Sequence, residues 1–344
     1  MRIALDAHGG DNGLKPNVEA ALLAAENLEH EIFLVGKADE IKEEIRRGGS
    51  AAVPERLHIV HAPDIIEMAK EPVEECRAKP DSSLMVCADM VKENKADGFV
   101  SAGNSGAIMV ASLLKIKRIN GILRPAIAIP YPTMKGVSAL IDGGANMDTK
   151  PWHMAQFAIM GSIYLKTLFN VPNPSVGILS IGEEETKGNG LVLETIPLLK
   201  TIGINYYGPV EGRDVPEGLT DVVVTDGFTG NIALKLSEGL AKAIFRMLKN
   251  EIESKFIYKI GAFLMKKLFT DLRKKLNPDE SGGAPLLGVN GVVIVAHGKS
   301  SSTAIYNALR IAGKLAKSGL VEQIAAHMQS IKDKMESEQE KSEV

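Results

Sequence analysis

The stretch Val176-Gly177-Ile178-Leu179-Ser180-Ile181-Gly182-Glu183-Glu184-Glu185-Thr186-Lys187-Gly188-Asn189 joins an apolar run to a polar, glycine-rich turn. The apolar half predicts a buried strand, so the turn opens where that strand ends. The arrangement recurs downstream, where Val222-Val223-Val224 leads into Asp226-Gly227-Phe228-Thr229-Gly230-Asn231 and a helical pattern. Ligands of open α/β folds bind at the carboxyl ends of parallel strands, where glycine and helix N–H groups approach an anion. The two turns therefore predict an enzyme with an anionic substrate.

Short apolar segments alternate with amphipathic helical patterns along most of the chain. The predicted strands are 2–5, 31–35, 57–61, 98–101, 126–130, 137–142, 176–181, 204–207, 222–225 and 291–296. The predicted helices are 16–28, 38–47, 82–94, 105–115, 151–169, 191–201 and 230–250. This alternation predicts a three-layer, doubly wound α/β domain with a mostly parallel sheet. We expect one elaborated domain over residues 1–328 and a charged tail over 329–344 that frays into solvent.

Composition excludes several classes of protein. The 344 residues carry a formal net charge of -3, so no global field favours nucleic acid. Two cysteines, Cys76 and Cys87, are too few for a disulfide framework and fit a reducing cytoplasm. The N-terminus enters a strand without a signal-like apolar core, and no apolar run approaches the roughly 18–20 residues of a membrane span. We therefore expect a protein that is soluble or lies on a membrane surface.

Further glycine-rich turns follow or border other predicted strands. They are Asp6–Asp11, Ser101–Ala107, Asp142–Asn146, and Gly288–Gly291 followed by Ala296–Ser300. A single such turn is more often only a turn, but we expect all six to converge on one crevice. The candidate substrate-binding residues in these turns are Asn104, Ser105, Gly106, Asn146 and Asn290. Asn104 and Ser105 would bind phosphate at a helix N-terminus, or would merely cap that helix.

The two turns quoted first supply the main candidates for catalysis. Lys187 is the first choice for contact with phosphate or an oxyanion, and its alternative is a solvated loop lysine. Asn189 and Asn231 have side-chain amides that can donate, although asparagine also suits turns for backbone reasons. Gly230 is expected to allow a close backbone approach to the substrate.

Four further side chains complete the candidate site. His297 follows the apolar run 292–296 and could donate to phosphate or protonate a leaving sulfur, or could be a structural histidine. Asp226 could orient a lysine or an amide, or could cap a turn. Arg213 and Asp214 could pair with each other or position the site, and they rank lower.

Competing motifs are incomplete. Gly298-Lys299-Ser300 resembles the end of a P-loop, but Val293 occupies the required upstream glycine position. The first strand is not followed by GxGxxG, and the close histidine pair His58 and His61 lies within a predicted strand. Neither cysteine lies in a glycine turn, so no acyl-cysteine is expected. We predict neither a metal nor a cofactor.

A basic segment interrupts the α/β pattern. Residues 253–276 contain seven Lys or Arg but only two acidic residues, together with two apolar stripes on different sides of a helical wheel. We predict two short helices with a break near residues 261–265, forming a projecting hairpin over about 250–277. Such a hairpin could lie on an anionic membrane or could make a dimer or packing contact. The membrane contacts would be Ile260, Phe263, Leu264, Leu268 and Phe269.

These motifs, in this order, closely resemble the bacterial phosphate acyltransferase (PlsX) family of phospholipid synthesis. The resemblance extends from Asp6 to about Ser318 and is strongest in Ser101–Ala107, Gly182–Asn189, Glu211–Asp214, Asp226–Asn231 and Gly282–Gly291. This chain has His8, Ser105 and Gly143 where the family usually has Met, Thr and Val.

The resemblance implies a reaction, a fold and partners. An acyl-acyl carrier protein and inorganic phosphate would give acyl phosphate and free carrier protein, and the product would feed a membrane glycerol-3-phosphate acyltransferase. The implied fold is that of isocitrate and isopropylmalate dehydrogenases and of phosphotransacetylase. The implied protein is a homodimer that associates peripherally with the membrane. Two alternatives stay open: a phosphotransacetylase-like enzyme acting on short acyl-CoA, and a non-catalytic adaptor between carrier protein and membrane.

Overall fold

The computed structural model of the chain describes residues 1–49, 53–276 and 278–342. One sheet of eleven strands runs through the molecule in the order β3-β2-β1-β4-β11-β10-β5-β6-β9-β7-β8. The strands are β1 Arg2–Asp6, β2 Glu31–Gly36, β3 Leu57–His61, β4 Gly98–Ser101, β5 Ala126–Thr133, β6 Gly136–Ile141, β7 Ser175–Leu179, β8 Asn205–Val210, β9 Val222–Val224, β10 Ala284–Leu287 and β11 Val292–Val295.

Helices connect these strands and cover the sheet. They are α1 Leu14–Asn27, α2 Ala38–Arg47, α3 Pro72–Ala78, α4 Ser83–Lys92, α5 Ser105–Ala111, α6 Pro151–Phe169, α7 Gly190–Thr201, α8 Asp214–Glu217, α9 Gly227–Ser254, α10 Phe256–Leu264, α11 Lys266–Leu276, α12 Pro278–Ser281, α13 Ser302–Ser318 and α14 Leu320–Ser342. A π-helical segment over Ser112–Ile116 extends α5.

Each strand has side chains in two cores because successive side chains point to opposite faces. In β1, Ile3 and Leu5 belong to one buried cluster, whereas Ala4 between them belongs to the other. The first cluster includes residues of α1, α6 and α13, and the second includes residues of α4 and α5. The result is the predicted arrangement of helices on both faces of a mostly parallel sheet.

The sheet consists of two parallel halves with opposite strand directions. Strands β3, β2, β1, β4 and β11 are mutually parallel, and so are β6, β9, β7 and β8. Between them, β10 is antiparallel to both β11 and β5, and β5 is antiparallel to β6. The carboxyl ends of the two halves therefore lie at opposite edges of the sheet. This polarity was not evident from the alternation of strands and helices.

All ten predicted strands are present, and one strand was missed. The missed strand is β10, which has four residues, follows Gly282 and Gly283, and contains Pro285. Glycine and proline at these positions are typical of a loop. A strand of this length is too short for its alternating side-chain pattern to outweigh that loop signal. Because β10 is antiparallel to both neighbours, β5 is parallel to β11, and the antiparallel pairing of β5 with β6 reverses the second half of the sheet.

The C-terminal region is helical. Helix α14 continues to Ser342, while 343–344 lie outside the described residues, and the fraying of the tail stays a prediction. The Lys, Glu and Met residues of this segment favour helix without needing an apolar stripe. The break predicted near residues 261–265 is confirmed, because α10 ends at Leu264 and α11 begins at Lys266. Among the described residues, no helix combines the length and apolar content needed to cross a bilayer.

Candidate active site

Each half of the sheet has its own topological switch point. From β1 the chain adds β2 and β3 on one side and then places β4 on the other, and from β7 it adds β8 and then places β9 on the other side. A crevice opens where the strand order reverses in this way. The first crevice is lined by residues 6–12, 101–106 and 296–301. The second is lined by residues 142–146, 180–189 and 225–231.

The two crevices do not merge within one chain. Four strands separate β11 from β7, so the turns that follow these strands start about 24 Å apart. They also start at opposite edges of the sheet. Within one chain the six turns therefore do not converge, since His297 lies in the first crevice and Lys187, Asn231 and Asp226 lie in the second.

A buried carboxylate organises the first crevice. Asp6 is only 3% exposed and accepts hydrogen bonds from the hydroxyls of Ser83 (2.6 Å) and Ser101 (2.7 Å). The Ser101 hydroxyl in turn accepts the backbone N–H of Gly103 at 3.0 Å. Asp6 thus fixes the end of β1, the start of α4 and the turn after β4 relative to one another.

Direct backbone contacts join the turns of the first crevice. The N–H of Asp11 donates to the carbonyl of Gly298 at 2.6 Å, and the N–H of Ala296 donates to the carbonyl of Ser101 at 2.9 Å. Two polar atoms nearby are buried without a partner among the described residues, namely the Oδ1 of Asn17 and the hydroxyl of Ser82. Such atoms are usually satisfied by a bound water or ligand.

The turn after β4 is only partly free to bind a substrate. The Oδ1 of Asn104 accepts the N–H groups of Gly106 (2.9 Å) and Ala107 (3.2 Å), which makes Asn104 the N-cap of α5. Its Nδ2 donates to the carbonyl of Met68 at 2.9 Å. Ser105 is exposed, and its hydroxyl makes no hydrogen bond to another described residue. Asn104 therefore has the capping role, and Ser105 is the available donor.

His297 presents a defined hydrogen-bond donor at the same crevice. Its Nδ1 accepts the backbone N–H of Lys299 at 3.1 Å, so the proton of the neutral ring is assigned to Nε2. Both His297 and Lys299 are exposed, and the Lys299 ammonium forms no ion pair with a described residue. An imidazole N–H, an ammonium and the Ser105 hydroxyl are together suited to an anion.

A strap formed by residues 62–71 lies over this crevice. The Met68 methyl group is 3.1 Å from where a side chain on Gly298 would begin, so the strap passes close to this glycine. Lys79 fastens the strap through ion pairs to Glu75 (2.8 Å) and Glu67 (3.2 Å). Sequence reasoning missed this element because it has neither helical nor strand periodicity.

The second crevice contains Lys187. The turn that carries it is fixed through its backbone, because the Ser180 hydroxyl donates to the Lys187 carbonyl at 3.0 Å. Two of the three glutamates before it have other partners, since Glu183 pairs with Arg213 at 3.2 Å and Glu185 with Lys200 at 2.6 Å. The exposed Lys187 ammonium has no ion-pair partner among the described residues.

Asp142 organises the second crevice in the way that Asp6 organises the first. It is fully buried, and it accepts the N–H groups of Ala145 (2.7 Å) and Asn146 (3.0 Å) and the Asn146 amide (2.9 Å). Burial raises the pKa of the Asp142 carboxyl, against the opposing effect of these hydrogen bonds. A Cβ on Gly230 would lie 2.2 Å from the Asp142 carbonyl oxygen, so this position requires glycine.

Several predicted site residues of the second crevice have structural partners. Asp226 caps α9 by accepting the N–H and the hydroxyl of Thr229 at 2.9 and 2.7 Å. Asn189 caps α7 by accepting the N–H of Val192 at 3.0 Å. The Asn146 amide also donates to the Pro125 carbonyl at 2.7 Å. By contrast, the amide of Asn231 forms no hydrogen bond within the described part of the chain.

The remaining candidates, Arg213 and Asn290, have surface or structural partners. Arg213 is 71% exposed and forms ion pairs with Glu183 and Glu211, which is typical of a solvated surface arginine. Asn290 donates to the Arg118 carbonyl at 2.8 Å and thereby fixes a turn before β11.

The cysteines are poor nucleophiles in this fold. Both thiols are buried, and burial raises the pKa of Cys76 to about 11 and that of Cys87 well above its ordinary value. A protonated thiol is unreactive toward a thioester. Among the described residues, no group of three or more His, Cys, Asp or Glu side chains is placed to hold a metal ion.

The fold and its two crevices define the class of protein. Phosphotransacetylase from Streptococcus pyogenes superposes with a TM-score of 0.62 at 17% identity, over 92% of this chain and 94% of that one. The 4-hydroxythreonine-4-phosphate dehydrogenase from Klebsiella pneumoniae superposes with a TM-score of 0.56 at 12% identity, over 92% and 99%. The chain therefore has the α/β fold shared by phosphotransacylases and this group of dehydrogenases.

Sequence similarity then gives the family. The profile of the family described as "Fatty acid synthesis protein" matches residues 1–323. A phosphate acyltransferase from Elusimicrobium minutum is 54% identical over 97% of both chains. Another, from Desulfitobacterium hafniense, is 47% identical over 94% of this chain and 96% of its own length. The chain belongs to this family of phosphate acyltransferases and is a transferase enzyme, which confirms the resemblance seen in the motifs.

Proposed function

We propose that the protein converts a long-chain acyl-acyl carrier protein and inorganic phosphate to acyl phosphate and free carrier protein. This reaction would be the first step of phosphatidic acid synthesis. The supporting observation is the 54% identity, over 97% of both chains, to a protein named phosphate acyltransferase. Near-complete coverage at that identity means that the whole catalytic unit is shared, not an isolated motif.

The reaction needs little chemistry beyond positioning. A phosphate oxygen attacks the thioester carbonyl carbon, the carbonyl oxygen becomes an oxyanion, and the C–S bond breaks as the thiolate leaves and takes up a proton. Phosphate is already anionic at neutral pH, and a thiolate leaves readily. Donors that hold the phosphate and stabilise the oxyanion can therefore provide most of the catalysis.

The first crevice is our choice for this step. Its turns contact one another directly, the strap covers it, and its polar groups include two buried atoms with no partner in the described part of the chain. His297 would donate from Nε2 to the oxyanion or to the leaving sulfur. Ser105 and Lys299 would hold the phosphate, while Asn104 and Gly106 shape the turn that presents Ser105.

The second crevice is the alternative for the same reaction. Lys187 and Asn231 have polar groups without described partners there, with Asn189, Gly230 and Asn146 shaping the surroundings. Against it stand the carboxylates of Asp226 and Glu184, which would repel a phosphate at its rim. The two choices predict opposite results for variants of His297 and Lys187.

A membrane-facing role for α10 and α11 is part of the proposal. Phe263 is 74% exposed, Leu264 78% and Leu268 60%, among basic residues of the same helices. Apolar side chains beside lysines are suited to the interface of an anionic membrane. Ile260 and Phe269 would complete the contact. The enzyme would thus be cytoplasmic, peripheral at the inner face of the cell membrane, and close to a glycerol-3-phosphate acyltransferase that uses its product.

Leu268→Glu tests this surface. The variant should bind anionic liposomes less tightly than the parent, with solution turnover largely retained. Equal liposome binding by variant and parent would rule out the membrane contact.

A homodimer is proposed from α9. Exposed apolar residues recur every four positions along this helix, at Phe228, Ile232, Leu236, Leu240 and Ile244. Such a stripe needs a partner surface, and a second copy of the same stripe would provide one. Light scattering of the parent should give the mass of two chains, and a monomer at micromolar concentration would contradict the proposal.

A short-chain enzyme is the second candidate, favoured by the structural similarity to phosphotransacetylase. The deciding assay follows thiol release from palmitoyl-acyl carrier protein and from acetyl-CoA, each with and without phosphate. The proposal predicts phosphate-dependent release from the first substrate. Preferential release from acetyl-CoA would favour the second candidate, and no release from either would leave a carrier-binding adaptor.

A further inference from the structure

A groove lies on the face of the first half-sheet that α4 covers only in part. It has a volume of about 510 Å³ and an apolar lining of Phe33 from β2, Val60 from β3, and Val86 and Met90 from α4. Ligand pockets usually measure about 300–1,000 Å³ and are mainly apolar. The groove is thus large enough for a small molecule, and none of the proposed catalytic residues lines it.

The rim of the groove is charged but locally neutral. Arg2 pairs with Asp97 at 2.7 Å, Asp89 with Lys115 at 2.6 Å, and Glu93 with Lys95 at 2.7 Å. Every charge at the rim therefore has an opposite charge beside it. An anion or cation would gain little there, so an uncharged apolar occupant fits best.

The groove extends along the strands toward the first crevice. Arg2 begins β1 at one end, while Val60 pairs with Val35, which is level with Asp6 at the other. The four steps from Arg2 to Asp6 span about 13 Å. An apolar lining along this length suits an extended alkyl chain.

The end of the groove adjoins the residues that organise the crevice. Val86 lies three residues after Ser83, which is close to one helical turn, or about 5 Å along α4. The Ser83 hydroxyl donates to Asp6, which in turn accepts from Ser101 in the turn beneath Ser105. A carbonyl group at the crevice and an alkyl chain in the groove would therefore be neighbours.

We infer that this groove binds the alkyl chain of the acyl substrate. The inference rests on the proposed function and adds a location for the part of the substrate that distinguishes long acyl chains from short ones. Contact with the groove removes methylene groups from water, so longer chains bind more tightly until the groove is filled. Chain-length preference is then set by Phe33, Val60, Val86 and Met90, and not by the polar turns.

Val60→Phe tests the inference by filling the groove from an edge strand, where an aromatic residue retains β-propensity. Val86→Phe fills it independently from α4. Leu23→Phe, at an exposed position of α1 on the other face of the sheet, is the matched control. For each protein, kcat/KM is measured with palmitoyl- and butyryl-acyl carrier protein. Either groove variant should lower the palmitoyl-to-butyryl ratio at least tenfold, and the control should leave it within twofold.

A binding measurement separates the groove from the reaction. The fluorescent fatty acid cis-parinaric acid should bind the parent and the control equally well. It should bind the groove variants at least tenfold more weakly, and circular dichroism checks that these variants are folded. If the parent turns over acyl carrier protein but both variants keep its chain-length ratio and bind the probe equally, the groove has another occupant and the inference fails. If the parent shows no turnover at all, the proposed function fails, and probe binding alone decides whether the groove takes an alkyl chain.

Discussion

The two crevices are organised by buried aspartates that find their partners in different ways. Asp6 accepts from Ser83 and Ser101, which lie 77 and 95 positions away in the sequence. Asp142 accepts from groups two to four positions away. The aspartate of the first crevice thus joins distant segments, whereas that of the second fixes its own turn, which the N–H of Gly227 joins to α9 by donating to the Asn146 carbonyl at 2.9 Å. A site that aligns several reacting groups needs the first kind of rigidity, because its geometry is then fixed from several directions.

The largest expected effect concerns which crevice performs the chemistry. His297→Ala should lower kcat/KM by about 10²–10³-fold, the usual loss for one oxyanion or proton donor. Lys187→Ala should lower it less than tenfold. Steady-state kinetics with palmitoyl-acyl carrier protein would measure both. The reverse pattern would move the reaction to the second crevice and retain Lys187 as the main phosphate contact.

Removal of the Asp6 carboxylate should have the next largest effect. Asp6→Ala leaves two buried hydroxyls without an acceptor, so the free energy of unfolding should fall by about 2–3 kcal/mol. Asp11→Ala, in the same turn but exposed, should change it by less than about 0.5 kcal/mol. Urea denaturation would measure both variants. Similar stabilities would show that the long-range bonds of Asp6 do not hold the first crevice together.

A pair of glycine substitutions in α9 tests the second crevice. Gly230→Ala would place a Cβ 2.2 Å from the Asp142 carbonyl oxygen, and we expect a loss of about 1–2 kcal/mol. Gly239→Ala meets nothing within 4 Å, and it should stabilise the helix by about 0.5–1 kcal/mol. Thermal unfolding should therefore shift in opposite directions. A shift in the same direction would mean that the backbone of the turn at Asp142 can move to accommodate the added methyl group.

The smallest expected effect is a pH dependence at the edge of the first crevice. The Nε2 of His8 accepts the N–H of Lys37 at 3.1 Å, at the start of α2, and so must be neutral. Burial lowers the pKa of His8, while Asp6 and Glu40 raise it and Lys37 lowers it. The unfolded chain then takes up a proton before the folded one does, so stability is present above pH 6.5 and is lost as pH falls through the folded pKa.

His8→Met measures this contribution. Between pH 7 and pH 5 the parent should lose more stability than the variant, by less than about 1 kcal/mol because the ring is only half-buried. Urea denaturation at the two pH values provides the comparison. Parallel losses in both proteins would show that His8 does not titrate in this range.

Local patterns in the sequence predicted most of the strands and helices and the family. The turn after β6 is an example, since an aspartate followed by two glycines and an asparagine is typical of a side chain that bonds its own turn. Likewise Asn104 occupies a position where a helix begins, and its capping role is one of the two alternatives that the sequence predicts.

The separation of the six turns into two crevices could not be predicted because it depends on strand direction. The antiparallel pairing of β5 with β6 reverses the second half of the sheet, and the alternation of strands and helices does not show that reversal. The convergence of all six turns followed from assuming one direction throughout. The role of Asp6 was missed for a related reason: its partners Ser83 and Ser101 become neighbours only when α4 packs on β1 and β4. The sequence feature that could have indicated this role is a strand that ends in an aspartate beside glycines.

The central claim is that phosphate is the acceptor of the acyl group. The most direct test incubates the protein with palmitoyl-acyl carrier protein, with and without inorganic phosphate, and traps acyl phosphate with hydroxylamine. Our account predicts palmitoyl hydroxamate that depends on phosphate and is reduced at least a hundredfold in His297→Ala. Carrier protein bound without any hydroxamate, or hydroxamate formed equally without phosphate, would contradict it.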